Sequence, residues 1–380
     1  MNELAQVSQF HRYMSPIEEI IAEAKSGRMF ILIDDEGREN EGDLIIPAVK
    51  ANAEAINFMA KHARGLICLA MTRERIHDLG LSMMTPRNAS RHETAFTVSI
   101  EAREGVSTGI SAADRARTIA VAIDPAKGPT DIVSPGHVFP LMARDGGVLV
   151  RTGHTEAAVD VARLAGLNPS GVICEIMNDD GTMARTPDLV AFAQFHGLKV
   201  ATIADLIAYR RRHDKLVRRE IETELDSAWG GKWRMVIYVN TVAYAEHIAL
   251  IKGDVASGEP VPVRVHALNV LDDALGDRQG GKGGLLSAAM EMIAAEGRGV
   301  VLLIREPHAT SLSERVRTRI EGRVEGAPLR DYGVGAQILL DLGVSEMILL
   351  SNSNRSLIGV EGYGLKVVES RSIPISDSRK

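Results

Sequence analysis

Residues 29–43 read MFILIDDEGRENEGD, an apolar run that stops abruptly in a strongly charged segment. The unbroken apolar stretch predicts a strand buried on both faces, and the charges mark the loop where it ends. That loop carries Asp34, Asp35, Glu36, Glu39, Glu41 and Asp43 around a single arginine, Arg38. Six carboxylates this close repel one another unless something cationic sits among them. A divalent metal with oxygen ligands, or a cationic or hydroxyl-rich substrate, would relieve the repulsion. A solvated acidic turn is the competing explanation, and for most charge runs it is the right one.

The rest of the chain sets the frame for that choice. Its 380 residues are enough for two domains, each with a proper core. Apolar content of 45% with 25% charged residues is ordinary for a soluble globular protein. Aromatics at 4% and a net charge of −6 argue against a nucleic-acid binder, which needs stacking platforms or a basic surface. Only RRRHDKLVRR, residues 210–219, is locally basic, and it reads as a solvated linker. Two cysteines, Cys68 and Cys174, cannot make a disulfide framework or a four-cysteine zinc site, and both lie in apolar runs. The start MNELAQVSQFHRYMSP lacks a basic region followed by an apolar one, and no apolar run approaches a membrane span. A cytoplasmic protein with no membrane partner is expected.

Periodicity in the first half alternates between helix and strand. Helices are expected at 16–26, 53–64, 111–122, 156–165, 187–196 and 204–211. Strands are expected at 29–33, 66–71, 96–100, 137–142, 148–150, 171–177 and 198–203. Such interleaving implies an α/β to α+β fold, a mixed sheet with packed helices, spanning residues 1–210. A basic and then mixed-charge stretch, 211–228, reads as a linker. Residues 229–380 alternate strands and helices again and form a second α/β domain.

Several segments carry chemistry. Arg151-Thr152-Gly153-His154-Thr155-Glu156 lies between a strand and a helix, where glycine permits close approach and free N–H groups suit an anion. His154 there is a metal ligand or proton carrier, or else exposed beside a Thr155 that caps the helix. Pro135-Gly136 is a turn dipeptide that delivers His137 to the start of a strand. Glu175 sits in GVICEIM, a run whose neighbours look buried, so its carboxyl should be hard to ionise and suited to acid–base work. Ser111 and Asp114 fit a helix cap, and the preceding GVSTG, residues 105–109, could cradle a phosphate. The segment GDRQGGKG, residues 276–283, has the glycine-to-lysine spacing of a P-loop. It is rejected because the final Ser/Thr is missing and no clear strand precedes it.

Taken together, DDEGRENEGD, AFTVSIEAREGVSTGISAADR, PGHVFPL, RTGHTEAAVDVARLAGL and CEIMNDDGTMAR resemble the 3,4-dihydroxy-2-butanone 4-phosphate synthase family, in order, from about Ile17 to Arg210. The resemblance implies conversion of ribulose 5-phosphate to 3,4-dihydroxy-2-butanone 4-phosphate and formate in riboflavin biosynthesis, with Mg2+ or Mn2+ and a homodimeric assembly. Carried over by residue, Glu39 and His154 match the metal ligands. Arg38, Asp43 and the loop Arg151, Thr152, Gly153, His154 and Thr155 match substrate contacts, with Arg151 and Thr155 toward the phosphate. His137 and Glu175 match the residues needed for turnover, and Glu175 also borders the substrate. On that reading Asp34, Asp35 and Glu36 revert to solvated charges or helpers of loop conformation, and Glu41 has no assigned role.

The second half resembles GTP cyclohydrolase II through VPVRVHAL, AAMEMIAAEGRGVVLLIRE, LRDYGVGAQILLDLGV and VEGYGLKVVE. The family's three zinc cysteines fall at Asn269, Gly280 and Lys282 here, and zinc needs such thiolates. Its later catalytic segments are replaced at Glu306–Thr310, Pro328 and Ser356. The resemblance therefore implies the fold without bound zinc and without GTP hydrolysis. Two alternatives stay open: hydrolysis of GTP through another ligand set, or a regulatory or interaction module.

Overall fold

The computed structural model describes residues 10–35, 37–85, 88, 94–242, 245–277, 283–305, 311–321, 330–352 and 364–374. The chain divides into two units, 1–210 and 211–380. Among the described residues no helix is long and apolar enough to cross a membrane.

The first unit opens with α1 (Ile17–Ser26), β1 (Phe30–Ile33) and β2 (Gly42–Pro47). It continues through α2 (Ala53–Phe58), β3 (Cys68–Met71), α3 (Arg73–Asp78), β4 (Ile100–Ala102) and α4 (Ala112–Ile123). Then come β5 (Ile132–Met142), α5 (His154–Leu164), β6 (Ser170–Glu175), α6 (Thr186–His196), β7 (Lys199–Thr202) and α7 (Ile203–His213). The strands form one mixed sheet in the order β4-β5-β3-β6-β2-β1-β7. Every residue of β1 and β2 is buried, because helices cover both faces. Alternate side chains divide between two cores. Ile31, Ile33, Leu44 and Ile46 meet α2, α4 and α6 on one face. Phe30, Leu32 and Ile45 meet α1, α5 and α7 on the other.

β1 and β2 pair antiparallel, with Leu32 opposite Asp43 and Ile33 opposite Gly42. The acidic segment is thus the turn of a hairpin in the middle of a covered sheet. This placement makes Asp34 a helper of loop conformation and not a solvated charge, since the residue is only 6% exposed. Asp35 is exposed, as expected, and Glu36 lies outside the described residues.

Other expectations shift for local reasons. Residues 147–149 wind into a 3-10 turn instead of a strand, because Gly146 and Gly147 both take positive φ. The helix expected over 53–64 is α-helical only to Phe58, and Met59–Ala63 form a π turn closed by Arg64 at φ 69. The strand expected at 96–100 falls at β4, leaving Phe96 and Thr97 in isolated bridges. Cys68 and Cys174 are buried free thiols, as read from the sequence.

The second unit contains β8 (Val217–Ser227), β9 (Gly231–Asn240), β10 (Glu246–Lys252), β11 (Val261–Ala267) and α8 (Val270–Asp273). After these come α9 (Leu285–Glu296), β12 (Gly299–Ile304), α10 (Ser311–Ile320), α11 (Arg330–Asp341), β13 (Glu346–Leu350) and β14 (Lys366–Arg371). Its sheet runs β14-β13-β11-β12-β10-β9-β8 and is also mixed. Residues 217–227 are a strand, not part of a linker. Their charges follow from position, since β8 is the sheet's edge and pairs with β9 alone. Charged edge strands resist pairing with other chains.

His247 on β10 is 2% exposed, and its Nδ1 accepts from the Arg305 N–H at 3.2 Å. Burial, with the Arg305 charge adding to it, lowers its pKa to about 4. The unfolded chain therefore takes up the proton first as pH falls, and stability declines between about pH 6.5 and 4. Up to ~3 kcal/mol should be lost over that window. His247→Gln keeps an acceptor but cannot titrate, so thermal melts at pH 7 and 5 should lie closer together in the variant.

Candidate functional site

The hairpin turn is organised by Asp34. Its carboxylate accepts from Arg38 Nη1 at 2.7 Å, from the Glu41 N–H at 2.8 Å and from the Glu39 N–H at 3.3 Å. The Arg38 guanidinium also contacts Glu39, so it bridges two carboxylates that would otherwise repel. A second clamp comes from Arg185, at the start of α6, whose Nη1 donates to the backbone carbonyls of Glu39, at 2.8 Å, and Asn40.

α5 brings the histidine to this turn. Gly153 is its N-cap and makes no side-chain capping bond, while His154 and Thr155 begin the helix buried. This excludes the reading in which Thr155 caps the helix and His154 is exposed. His154 Nε2 lies 3.1 Å from the Leu32 carbonyl, which can only accept, so Nε2 carries the proton and Nδ1 keeps its lone pair. Burial lowers the imidazole's pKa to about 4, leaving it neutral and ready to ligate near pH 7. Ligand atoms of Asp34, Glu39 and His154 all lie within 4.8 Å of one another.

Asp43 and Glu175 face each other across β2 and β6 as register partners. Asp43 is fully enclosed, and burial, then the nearby Glu175, push its carboxyl well above the usual carboxylate range. One of its oxygens has no hydrogen-bond partner, and that oxygen lies 3.5 Å from His154 Nδ1. Burial also raises Glu175, against the Leu66 N–H that holds its Oε2 at 2.8 Å. Glu41 is raised by burial and by Glu39, so it too belongs to the same crowded field. Two carboxylate oxygens and an imidazole nitrogen, with an orphaned buried oxygen beside them, make a donor set suited to Mg2+ or Mn2+.

Gly65 makes room for Glu175. A Cβ there would sit 2.4 Å from the Glu175 carbonyl oxygen and 2.6 Å from Oε2. Gly65→Ala must therefore displace Glu175, backbone and carboxylate together, and if Glu175 takes part in turnover a shift of about 1 Å there costs on the order of 10²-fold. Turnover of the variant should fall by that order while its circular dichroism stays native.

The remaining candidates are arranged differently. Arg151 Nη1 is ion-paired to buried Glu156 at 2.6 Å, and Nη2 donates to the Thr94 hydroxyl at 3.2 Å. Glu156 also accepts from the Arg144 N–H, so a single carboxylate holds both ends of the loop before α5. Thr152 is half-buried at the mouth of that loop. His137 stands on β5, apart from the hairpin, with Nδ1 2.9 Å from Glu101 Oε1. Part of the GVSTG loop's donor set is spent within the protein. Asp114 accepts from Ser107 N, Ser107 Oγ and Gly109 N, while Ser111 caps α4 as expected. Sequence reasoning missed Gly65, Glu101 and Arg185. Asp34 and Glu156 were named in it, but without the partners the structure gives them.

In the second unit His266 Nε2 lies 2.9 Å from Asp273, whose carboxylate also accepts from the Asn269 N–H. Asn269 uses its own side chain to cap α8 and to reach Asp272. Gly280, Lys282, Glu306–Thr310, Pro328 and Ser356 lie outside the described residues, as does most of the P-loop-like segment.

A family model described as 3,4-dihydroxy-2-butanone 4-phosphate synthase matches residues 18–209, and one described as GTP cyclohydrolase II matches residues 218–372. The chain is 49% identical over 375 residues to the riboflavin biosynthesis protein RibBA of Aquifex aeolicus, covering 94% of this chain and 92% of that one. It is 51% identical over 362 residues to a 3,4-dihydroxy-2-butanone 4-phosphate synthase of Pseudomonas aeruginosa, covering 94% and 98%. Among solved structures, RibBX, a two-domain synthase from A. baumannii, matches with 41% identity and a TM-score of 0.73, over 95% of this chain and all of that one. A synthase solved with two magnesium ions matches 53% of this chain and 99% of its own length, at 43% identity and a TM-score of 0.52.

Proposed function

Since the chain belongs to the 3,4-dihydroxy-2-butanone 4-phosphate synthase family, and carries a GTP cyclohydrolase II-type domain behind the synthase domain, we propose that its hairpin turn and α5 form the synthase's metal and substrate site. The protein is a synthase of riboflavin biosynthesis, converting D-ribulose 5-phosphate to 3,4-dihydroxy-2-butanone 4-phosphate and formate. The observation that carries the site assignment is the convergence of Asp34, Glu39 and His154 within 4.8 Å. A divalent cation held there, Mg2+ or Mn2+, supplies Lewis-acid stabilisation to the oxygens of an enediolate.

The chain's own residues do the rest. Arg38, Asp43 and the 151–155 loop bind the sugar phosphate, with Arg151 and Thr155 toward its phosphate. Glu175, whose carboxyl holds its proton more tightly than usual, exchanges protons with the carbon chain, as does His137. The protein works as a cytoplasmic homodimer.

The second unit is proposed to keep the cyclohydrolase fold without the activity. Asn269 supplies no thiolate, and its amide is spent on α8 and Asp272. The Pseudomonas relative, matched over nearly its whole length, is named for the synthase alone. The name RibBA of other relatives favours a second reading, a bifunctional enzyme. Two assays on the full chain decide. Formate should form from ribulose 5-phosphate with Mg2+, and its absence overturns the synthase site. GTP should yield no formate, and bound zinc together with formate from GTP would establish the second activity.

A further inference from the structure

We propose that Glu101 is a positioning residue for His137, fixing the imidazole's tautomer so that Nε2 is its basic atom. The inference rests on the reading that His137 carries protons during turnover. A carboxylate accepts, so the 2.9 Å contact between Glu101 Oε1 and His137 Nδ1 places the ring proton on Nδ1 and leaves the lone pair on Nε2. The exposures suit the division: the Glu101 side chain is 18% exposed and the His137 side chain 43%. The anchor is shielded while the ring it orients stays accessible.

Three separate segments are shaped around this contact. The β4–β5 register shifts between Ile100 and Glu101, re-aiming the Glu101 side chain. Gly136, just before the histidine, lets β5 press against β4, where a Cβ would lie 2.1 Å from the Ile100 carbonyl. Gly109, at φ 84, roofs the pair, and a Cβ there would lie 1.1 Å from Glu101 Oε1 and 2.7 Å from His137 Nδ1. Asp114 pins that roof by accepting from the Gly109 N–H at 3.0 Å and from Ser107. Ion pairs this exposed add little to stability, so folding alone does not account for such close packing. The glycine-rich loop and the Pro-Gly-His stretch inside β5 thus serve one imidazole.

The test uses the full-length enzyme with Mg2+ and ribulose 5-phosphate. Glu101→Ala should lower kcat by ~10²-fold, the scale of one misplaced acid–base group, with KM little changed. Glu101→Gln, which keeps an acceptor, should recover most of that loss. Nitrogen-15 spectra of the His137 ring should show Nδ1–H in the wild type and in Glu101→Gln, and a shift toward Nε2–H in Glu101→Ala. Adding Glu101→Ala to His137→Ala should cost nothing further, because the carboxylate acts only through the ring. Wild-type kcat in Glu101→Ala with His137→Ala inactive would overturn this proposal while sparing the base. An unchanged tautomer, or an equal loss in the double variant, would also overturn it. Wild-type turnover by His137→Ala would overturn the underlying reading, and the proposal with it.

Discussion

Glu39→Ala and His154→Ala should each lower formate release from ribulose 5-phosphate by well over ~10²-fold, more than the loss usual for removing an outer partner of a metal ligand. Each removes one of the three donors that meet within 4.8 Å. Glu39→Ala also leaves Arg38 facing Asp34 alone, which makes the turn more cationic and less hospitable to a divalent ion. His154→Ala leaves the Leu32 carbonyl without its partner, and the buried oxygen of Asp43 without a neighbouring ring nitrogen. Manganese titration followed by electron paramagnetic resonance gives a readout independent of turnover: both variants should bind Mn2+ far more weakly. Asp34→Asn should weaken the metal too, and it should disturb the turn more, since Asp34 organises two N–H groups as well as Arg38. Normal formate release by both alanine variants would remove the metal assignment.

Asp160→Ala should destabilise the first unit strongly. Asp160 and Arg210 are each 2% exposed and meet at 2.7 Å, and Arg163 and the Val148 N–H bond the same carboxylate. Burial raises the Asp160 carboxyl despite Arg210, a sign that desolvation opposes the pair strongly. Such a pair adds little compared with apolar side chains of the same shape, yet removing one partner from it costs ~3–5 kcal/mol, and here the Gly146 carbonyl, 2.7 Å from Arg210, carries no charge to replace the carboxylate. Against a total stability of roughly 5–15 kcal/mol, that loss should lower the first unit's calorimetric transition by many degrees. Asp160→Asn should lie between. Because the 146–148 turn leads into Arg151–Thr155, KM should rise in whatever fraction stays folded. An unchanged transition in Asp160→Ala would show that the pair can be removed without stranding Arg210.

Where the sequence spoke clearly, it did so through local pattern. The four apolar residues of β1 announced a strand covered on both sides, and the glutamate inside GVICEIM announced a carboxylate under desolvation. Asp34 stayed between two readings because its burial depends on a hairpin register that charge pattern does not encode. Gly65, Glu101 and Arg185 acquire meaning only through partners 36 to 146 residues away, among them the Leu66–Glu175, Glu101–His137 and Arg185–Glu39 contacts. The charged run at 217–227 misled for the opposite reason, since an edge strand can be polar along most of its length. The glycine pair at 146–147 was a legible signal against a strand that went unused.

The sheet also separates His137 from Glu175. β3 lies between the strands that carry them, since Cys68 pairs with Phe139 of β5 on one side and with Ile173 of β6 on the other. Strands one place removed put their backbones about 10 Å apart. If both exchange protons with the substrate, as proposed, a five-carbon chain across that gap would meet a different one of them at either end. The reaction's order would then be kept by the width of a single intervening strand.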